Sequence, residues 1–153
     1  MITGDYGLEP TRIELIANGH NDTYRIEAAG ASLAFRVYGE GKSWIRGTSD
    51  LRFELDLLTY LRARRAPISY PIERSSGDTL GTGTRHYALF SWCPGRPVSA
   101  NELTLPQAER LGAALASIHA AADAFVTEHS RYSLDQATLG RAAGASSTAI
   151  HRP

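Results

Sequence analysis

Polar and apolar residues alternate over Arg12, Ile13, Glu14, Leu15 and Ile16, the pattern of a half-buried strand. Positions 18–22 are polar and contain Gly19, which predicts a turn. A second strand is expected over 23–26, a small-residue turn over 28–31, and a third strand over 33–38. These three are close enough in sequence to pair as an antiparallel meander. Residues 39–42, with Gly39 and Gly41, interrupt the pattern. Ser49 or Asp50 then has the chemistry of an N-cap. Leu51, Leu55, Leu58 and Leu61 recur at helical spacing, which predicts a helix over 51–64 that Pro67 ends. Residues 68–72 read as a short edge or irregular strand, because Pro71 lies inside them. A turn begins at Gly77 and Asp78, and 85–90 read as a fifth strand closed by Pro94 and Gly95.

The clearest element comes next. Thr104 followed by Gln107 has the form of a capping box, with Pro106 tolerated in the first turn. Leu111, Leu115, Ile118, Ala122 and Phe125 mark one face of a long helix. After it the periodicity dissolves, and 140–148, rich in Gly, Ala and Ser, read as a mobile tail or linker. The order of elements is α+β: a five-stranded antiparallel sheet with one packed helix, then a linker and a long helix.

Composition narrows the function without naming it. A chain of 153 residues can bury one core, about 70% of its unfolded surface at this size. Sixteen basic residues balance sixteen acidic ones, so net charge gives no reason to expect nucleic acid or a membrane surface as a partner. No stretch approaches the ~20 apolar residues of a membrane span. Residues 1–10 lack the basic cluster and apolar run of a secretory signal. The single cysteine, Cys93, cannot form an internal disulfide, which fits a cytoplasmic location. His20, His86, His119, His129 and His151 do not have zinc-ligand spacing, so no metal site is expected.

Candidate chemistry begins with Glu54, a carboxylate on the same helix face as Leu51, Leu58 and Leu61. Such a carboxylate is costly unless something pairs with it. On the third strand, Leu33, Phe35 and Val37 point one way, and Ala34, Arg36 and Tyr38 the other. Two readings stand for Arg36 and Glu54: a pair whose cation holds nucleotide phosphates, or a purely structural ion pair. Residues 33–36 follow the apolar-Ala-apolar-cation order of the kinase strand that carries the phosphate-binding cation, where a small Ala34 leaves room for adenine. Of the kinase Gly-rich loop only Gly19 survives, with Asn21, Tyr24 and Ile26 at the later offsets, and an ordinary hairpin turn explains that segment as well. Phe90 and Trp92 are either pocket walls or core aromatics.

Together these segments resemble the aminoglycoside phosphotransferase and homoserine-kinase-like group, kinase-fold enzymes that phosphorylate small molecules. The resemblance runs from about Tyr6 to Asp135 and rests on residues 20–25, 33–38, 53–61, 87–96 and 111–119, with 131–135 beyond them. It implies a kinase-like N-terminal lobe over 1–97, a linker and the start of a helical second lobe over 98–139, and a tail over 140–153. It further implies ATP as cofactor, with Arg36 on the phosphates, Glu54 orienting it, and Asn21 in the loop above. Ala34 and Phe90 would wall the adenine pocket, and Ser91 and Cys93 would offer backbone groups at the hinge. His119 would be structural.

The family's catalytic apparatus is an His-x-Asp loop with a downstream Asn, then a second Asp motif. After Ile118 the aspartates are Asp123 and Asp135, and neither sits in such a motif. No catalytic residue or metal ligand is therefore assigned, and Mg2+ is expected only with a second lobe. Three expectations follow: a portion of a phosphotransferase inactive by itself, a non-catalytic nucleotide- or protein-binding module, or an enzyme completed by a second chain. The partners expected are a nucleotide, a small-molecule hydroxyl acceptor for the full enzyme, and another copy through the apolar helix face.

Overall fold

The computed structural model describes residues 1–40 and 47–132. The elements in chain order are α1 (Ile2–Tyr6), β1 (Pro10–Asn18), β2 (Asn21–Ala28), β3 (Ala31–Tyr38), α2 (Thr48–Ala63), β4 (Pro71–Ile72), β5 (Gly81–Thr82), β6 (His86–Ser91) and α3 (Leu105–Ala122), with a 3-10 turn at Ala100–Glu102. The architecture is α+β: one antiparallel sheet in the order β1-β2-β3-β6-β4, with β5 also on β6. The first three strands form the expected meander, but β1 is exposed along nearly all its length and not half-buried: it is an edge strand, and Ile13, Leu15 and Ile16 stay open to solvent. The sheet has six strands rather than five, because two-residue β5 carries no periodic signal. The strand expected over 68–72 narrows to β4, which pairs Pro71 with Phe90 and Ile72 with Leu89. Ser69 and Tyr70 instead reach Ser91 irregularly: Ser91 N–H donates to Tyr70 O at 2.9 Å, and Ser69 Oγ donates to Ser91 O at 2.6 Å.

The two faces of the sheet bury different clusters, as strand alternation requires. On one, Tyr38, Ala88 and Phe90 pack with Leu51, Leu55 and Leu80, flanked by Ala34 and Leu58. The other holds Ile26, Ala28, Phe35, Tyr87 and Leu89, with α1 contributing Ile2 and Tyr6. Five residues are too short for α1 to show a helical period. It ends at Gly7, whose φ of 63° is one that glycine adopts without steric cost.

The N-cap of α2 is Gly47, not Ser49 or Asp50. Those two lie inside the first turn, and their side chains bond residues 130 and 132. The cap of α3 is the expected one, with Gln107 Oε1 accepting from Thr104 N–H at 2.9 Å. Its apolar face is shorter than the pattern implied. Phe125 lies past the helix end and meets the rings of Phe53 and Tyr60 edge-on at 5.4 and 5.2 Å. Among the described residues no helix is long and apolar enough to cross a membrane. The interruption at 39–42 is described only through Glu40, and 133–135 and the tail over 140–153 lie outside the described residues.

Candidate functional site

β3 is a central strand, paired to β2 on one side and β6 on the other. Arg36 stands opposite Thr23 and Ala88 in the two ladders, so small side chains flank it and its long arm lies over the α2 side of the sheet. There Arg36 Nη1 donates to Glu54 Oε1 at 2.7 Å, a half-buried pair joining β3 to α2. The guanidinium carbon lies 4.8 Å from the centre of the Phe90 ring. Phe90, two residue pairs along the ladder opposite Ala34, is also part of the core beneath α2. Of the two sequence readings of Phe90, the structure bears out the core aromatic, a buried ring stacked under the cation.

Tyr38 follows Arg36 on the same face, 3% exposed. Burial pushes its phenol well above the ordinary tyrosine range, the nearby Glu54 charge pushes it further, and Arg36 pulls the other way. The hydroxyl therefore stays protonated beside the ion pair. Sequence reasoning placed Tyr38 on this face and gave it no role.

The remaining candidates are spread along the same sheet. Asn21 opens β2, opposite Tyr38, and its Oδ1 accepts from Gly39 N–H at 3.1 Å, tying the β1–β2 turn to the end of β3. The neighbouring Asp22 braces that turn: it accepts from Asn18 Nδ2 at 3.0 Å and from Arg85 Nη2 at 2.6 Å. This brace had no sequence signal, because Arg85 is 63 positions away. Ser91 ends β6, with its Oγ accepting from Tyr70 N–H at 3.1 Å and its carbonyl accepting from Ser69. Cys93 is exposed just beyond. Arg36, Glu54, Ala34 and Phe90 form one cluster, while Asn21 sits at one end of the sheet and Ser91 with Cys93 at the other.

The donor chemistry of the cluster suits a phosphate. A guanidinium carries five N–H donors in a planar fork, more than one carboxylate oxygen takes, and Glu54 fixes the fork in one orientation. For a metal the described residues offer less: none forms a group of three or more His, Cys, Asp and Glu side chains.

Comparison with known proteins bears on the family and the fold. The chain is 34% identical over 140 residues to an uncharacterized protein of Deinococcus radiodurans, covering 88% of this chain and 39% of that protein. It is 30% identical over 112 residues to an uncharacterized protein of Synechocystis sp., covering 70% of this chain and 30% of the other. The chain therefore spans less than half the length of these relatives. Among solved structures, amicoumacin kinase hAmiN in complex with AMP-PNP, Ca2+ and Ami has a TM-score of 0.70 at 17% identity, over 85% of this chain and 40% of that one. That likeness is one of fold, a kinase-like N-terminal lobe. The model of the phosphotransferase enzyme family (APH) matches residues 12–149, and with nearly the whole sequence inside that match the chain belongs to this family.

Proposed function

We propose that the chain is the nucleotide-binding N-terminal portion of an ATP-dependent phosphotransferase that transfers a phosphoryl group to a small-molecule hydroxyl, and that it does not turn over by itself. The observation that carries this reading is the Arg36–Glu54 pair bridging β3 and α2 at 2.7 Å. In this reading residues 1–97 are the lobe that cradles ATP, 98–139 lead into a helical second lobe, and the protein works in the cytoplasm. Arg36 grips the phosphates, Glu54 holds its rotamer, and Asn21 positions the turn above them. Ala34 and Phe90 wall the adenine pocket. At the hinge the Ser91 carbonyl has a second lone pair beyond the one Ser69 uses, and exposed Cys93 offers its backbone. Amicoumacin kinase, bound to AMP-PNP on the same fold, supports the nucleotide assignment. The lack of an His-x-Asp loop in the sequence supports the view that catalysis needs further chain.

Calorimetric titration with AMP-PNP tests this. The chain should bind it weakly, and Arg36→Ala should weaken binding roughly tenfold or more, about 1.4 kcal/mol. No heat at millimolar nucleotide would overturn the reading. A second reading, a non-catalytic binding module, draws on the same missing loop and on the exposed leucines of α3, through which we propose that copies associate.

A further inference from the structure

After α3 the chain turns back and runs along α2. Phe125 sets its ring edge-on against Phe53 and Tyr60. Thr127 Oγ1 donates to Asp56 Oδ2 at 2.5 Å, and His129 Nδ1 lies 2.9 Å from the same oxygen. Ser130 N–H donates to Ser49 Oγ at 2.9 Å, and that hydroxyl donates back to Ser130 O at 3.2 Å. Tyr132 N–H donates to Asp50 Oδ1 at 2.7 Å. Contacts from Ser49 to Tyr60 cover three turns of α2, roughly 16 Å of helix.

Two features separate this from incidental packing. Residues 125–132 belong to no helix or strand, and the N–H groups of Ser130 and Tyr132 are satisfied by α2 side chains. Asp50, only 7% exposed, is the buried charged side chain among the described residues. A carboxylate in the first turn of a helix ordinarily serves its own N-terminus. Here one of its oxygens is used on a segment 82 positions away. Glu54 lies one turn after Asp50 and half a turn before Asp56, between the two anchors. On another side α2 is held by Arg52, which donates to both oxygens of Asp78 at 3.1 and 2.8 Å.

We infer that residues 125–132 form a strap that sets the position of α2, and that Asp50 and Asp56 are thereby positioning residues for the Glu54–Arg36 pair. The consequence for phosphate binding rests on the nucleotide reading above; the positioning itself does not. A helix free to roll or slide by an ångström would carry Glu54 out of the 2.7 Å contact, because a charge-assisted hydrogen bond weakens steeply with misalignment. Pinned at both ends of its first three turns, α2 can do neither.

The test uses the 153-residue chain labelled with 15N and reads the guanidinium resonance of Arg36, assigned with Arg36→Lys. Asp56→Ala removes the acceptor of Thr127 and His129 at a half-exposed position, where folding survives. It should move the Arg36 resonance toward its place in Glu54→Gln. Asp56→Asn, which keeps an acceptor oxygen, should return it partway, and Asp50→Ala should act as Asp56→Ala does. In a chain that binds AMP-PNP, Asp56→Ala should raise the dissociation constant roughly threefold or more, and should have no further effect in the Arg36→Ala background. A strap that only adds stability would lower the melting temperature and leave the Arg36 resonance in place, and that result overturns the inference. If the resonance moves while the unaltered chain binds no AMP-PNP, the nucleotide reading falls and the strap stands.

Discussion

Asp5 accepts a hydrogen bond from the Tyr87 hydroxyl and another from Arg74 Nη2 at 3.1 Å, clamping α1 onto the outer face of the sheet. The Tyr87 bond first and the Arg74 bond second hold its carboxyl below the ordinary value of 3.8. Asp78, bound by Arg52, is lowered in the same way. A carboxyl whose folded value lies below its unfolded one contributes stability above the unfolded value, and that contribution is lost as pH falls through the folded one. The melting temperature should therefore hold steady above about pH 5 and drop below about pH 4. Asp5→Asn should melt lower at neutral pH and show a shallower acid decline, measured by circular dichroism. An acid decline identical to that of the unaltered chain would mean that Asp5 is not ion-paired. Single residues were legible in the sequence where periodicity aimed them: Arg36 by strand alternation and Glu54 by helical spacing. Asp5, Asp22 and Asp50 were not, because their partners lie 63 to 82 positions away and no local pattern joins them.

At the scale of elements, β5 exists because a glycine lets it approach. Gly81 pairs with Tyr87, and a Cβ at position 81 would fall 2.1 Å from the Tyr87 ring. That ring cannot easily swing away. Tyr87 is 3% exposed, it packs on Phe35 at 5.4 Å between centroids, and its hydroxyl is bound to Asp5. Gly81→Ala should therefore destabilise the fold by about 1–3 kcal/mol, the usual cost of overpacking, read from urea unfolding. An unchanged midpoint would mean that the ring is free to move. The same contact explains why β5 was missed. Two residues cannot show a period, and what holds them is the shape of a ring further along the chain. Elements of six or more residues were legible. Tertiary contacts fixed the rest: β4 is two residues long because Ser69 and Tyr70 bond Ser91 outside the ladder, and the start of α2 shifted because its expected caps serve the strap.

On the scale of the whole molecule, the kinase-like lobe was legible because its strand and helix segments follow one another in the family's order, and the return of 125–132 onto α2 was not, having no period to read. The exposed face of α3 was legible too. Leu111 is 53% exposed and Leu115 48%, one turn apart on a helix that buries none of its residues fully. How strongly such a face can associate follows from its size. Burying a whole leucine is worth ~1.5–3 kcal/mol, so the half still exposed offers ~1 kcal/mol each. Two copies meeting through these leucines gain ~4 kcal/mol, close to the lowest estimates of what association costs. The copies should therefore associate weakly, with a dissociation constant no tighter than ~1 mM. Sedimentation velocity should show one species in the micromolar range and a rising weight-average coefficient above it, and Leu111→Glu with Leu115→Glu should abolish the rise. A coefficient that stays constant into the millimolar range, with no binding of a hydrophobic dye, would show that this face does not pair with itself. A dimer already complete at micromolar concentration would be too tight for two leucines, and would place the contact on a larger surface elsewhere.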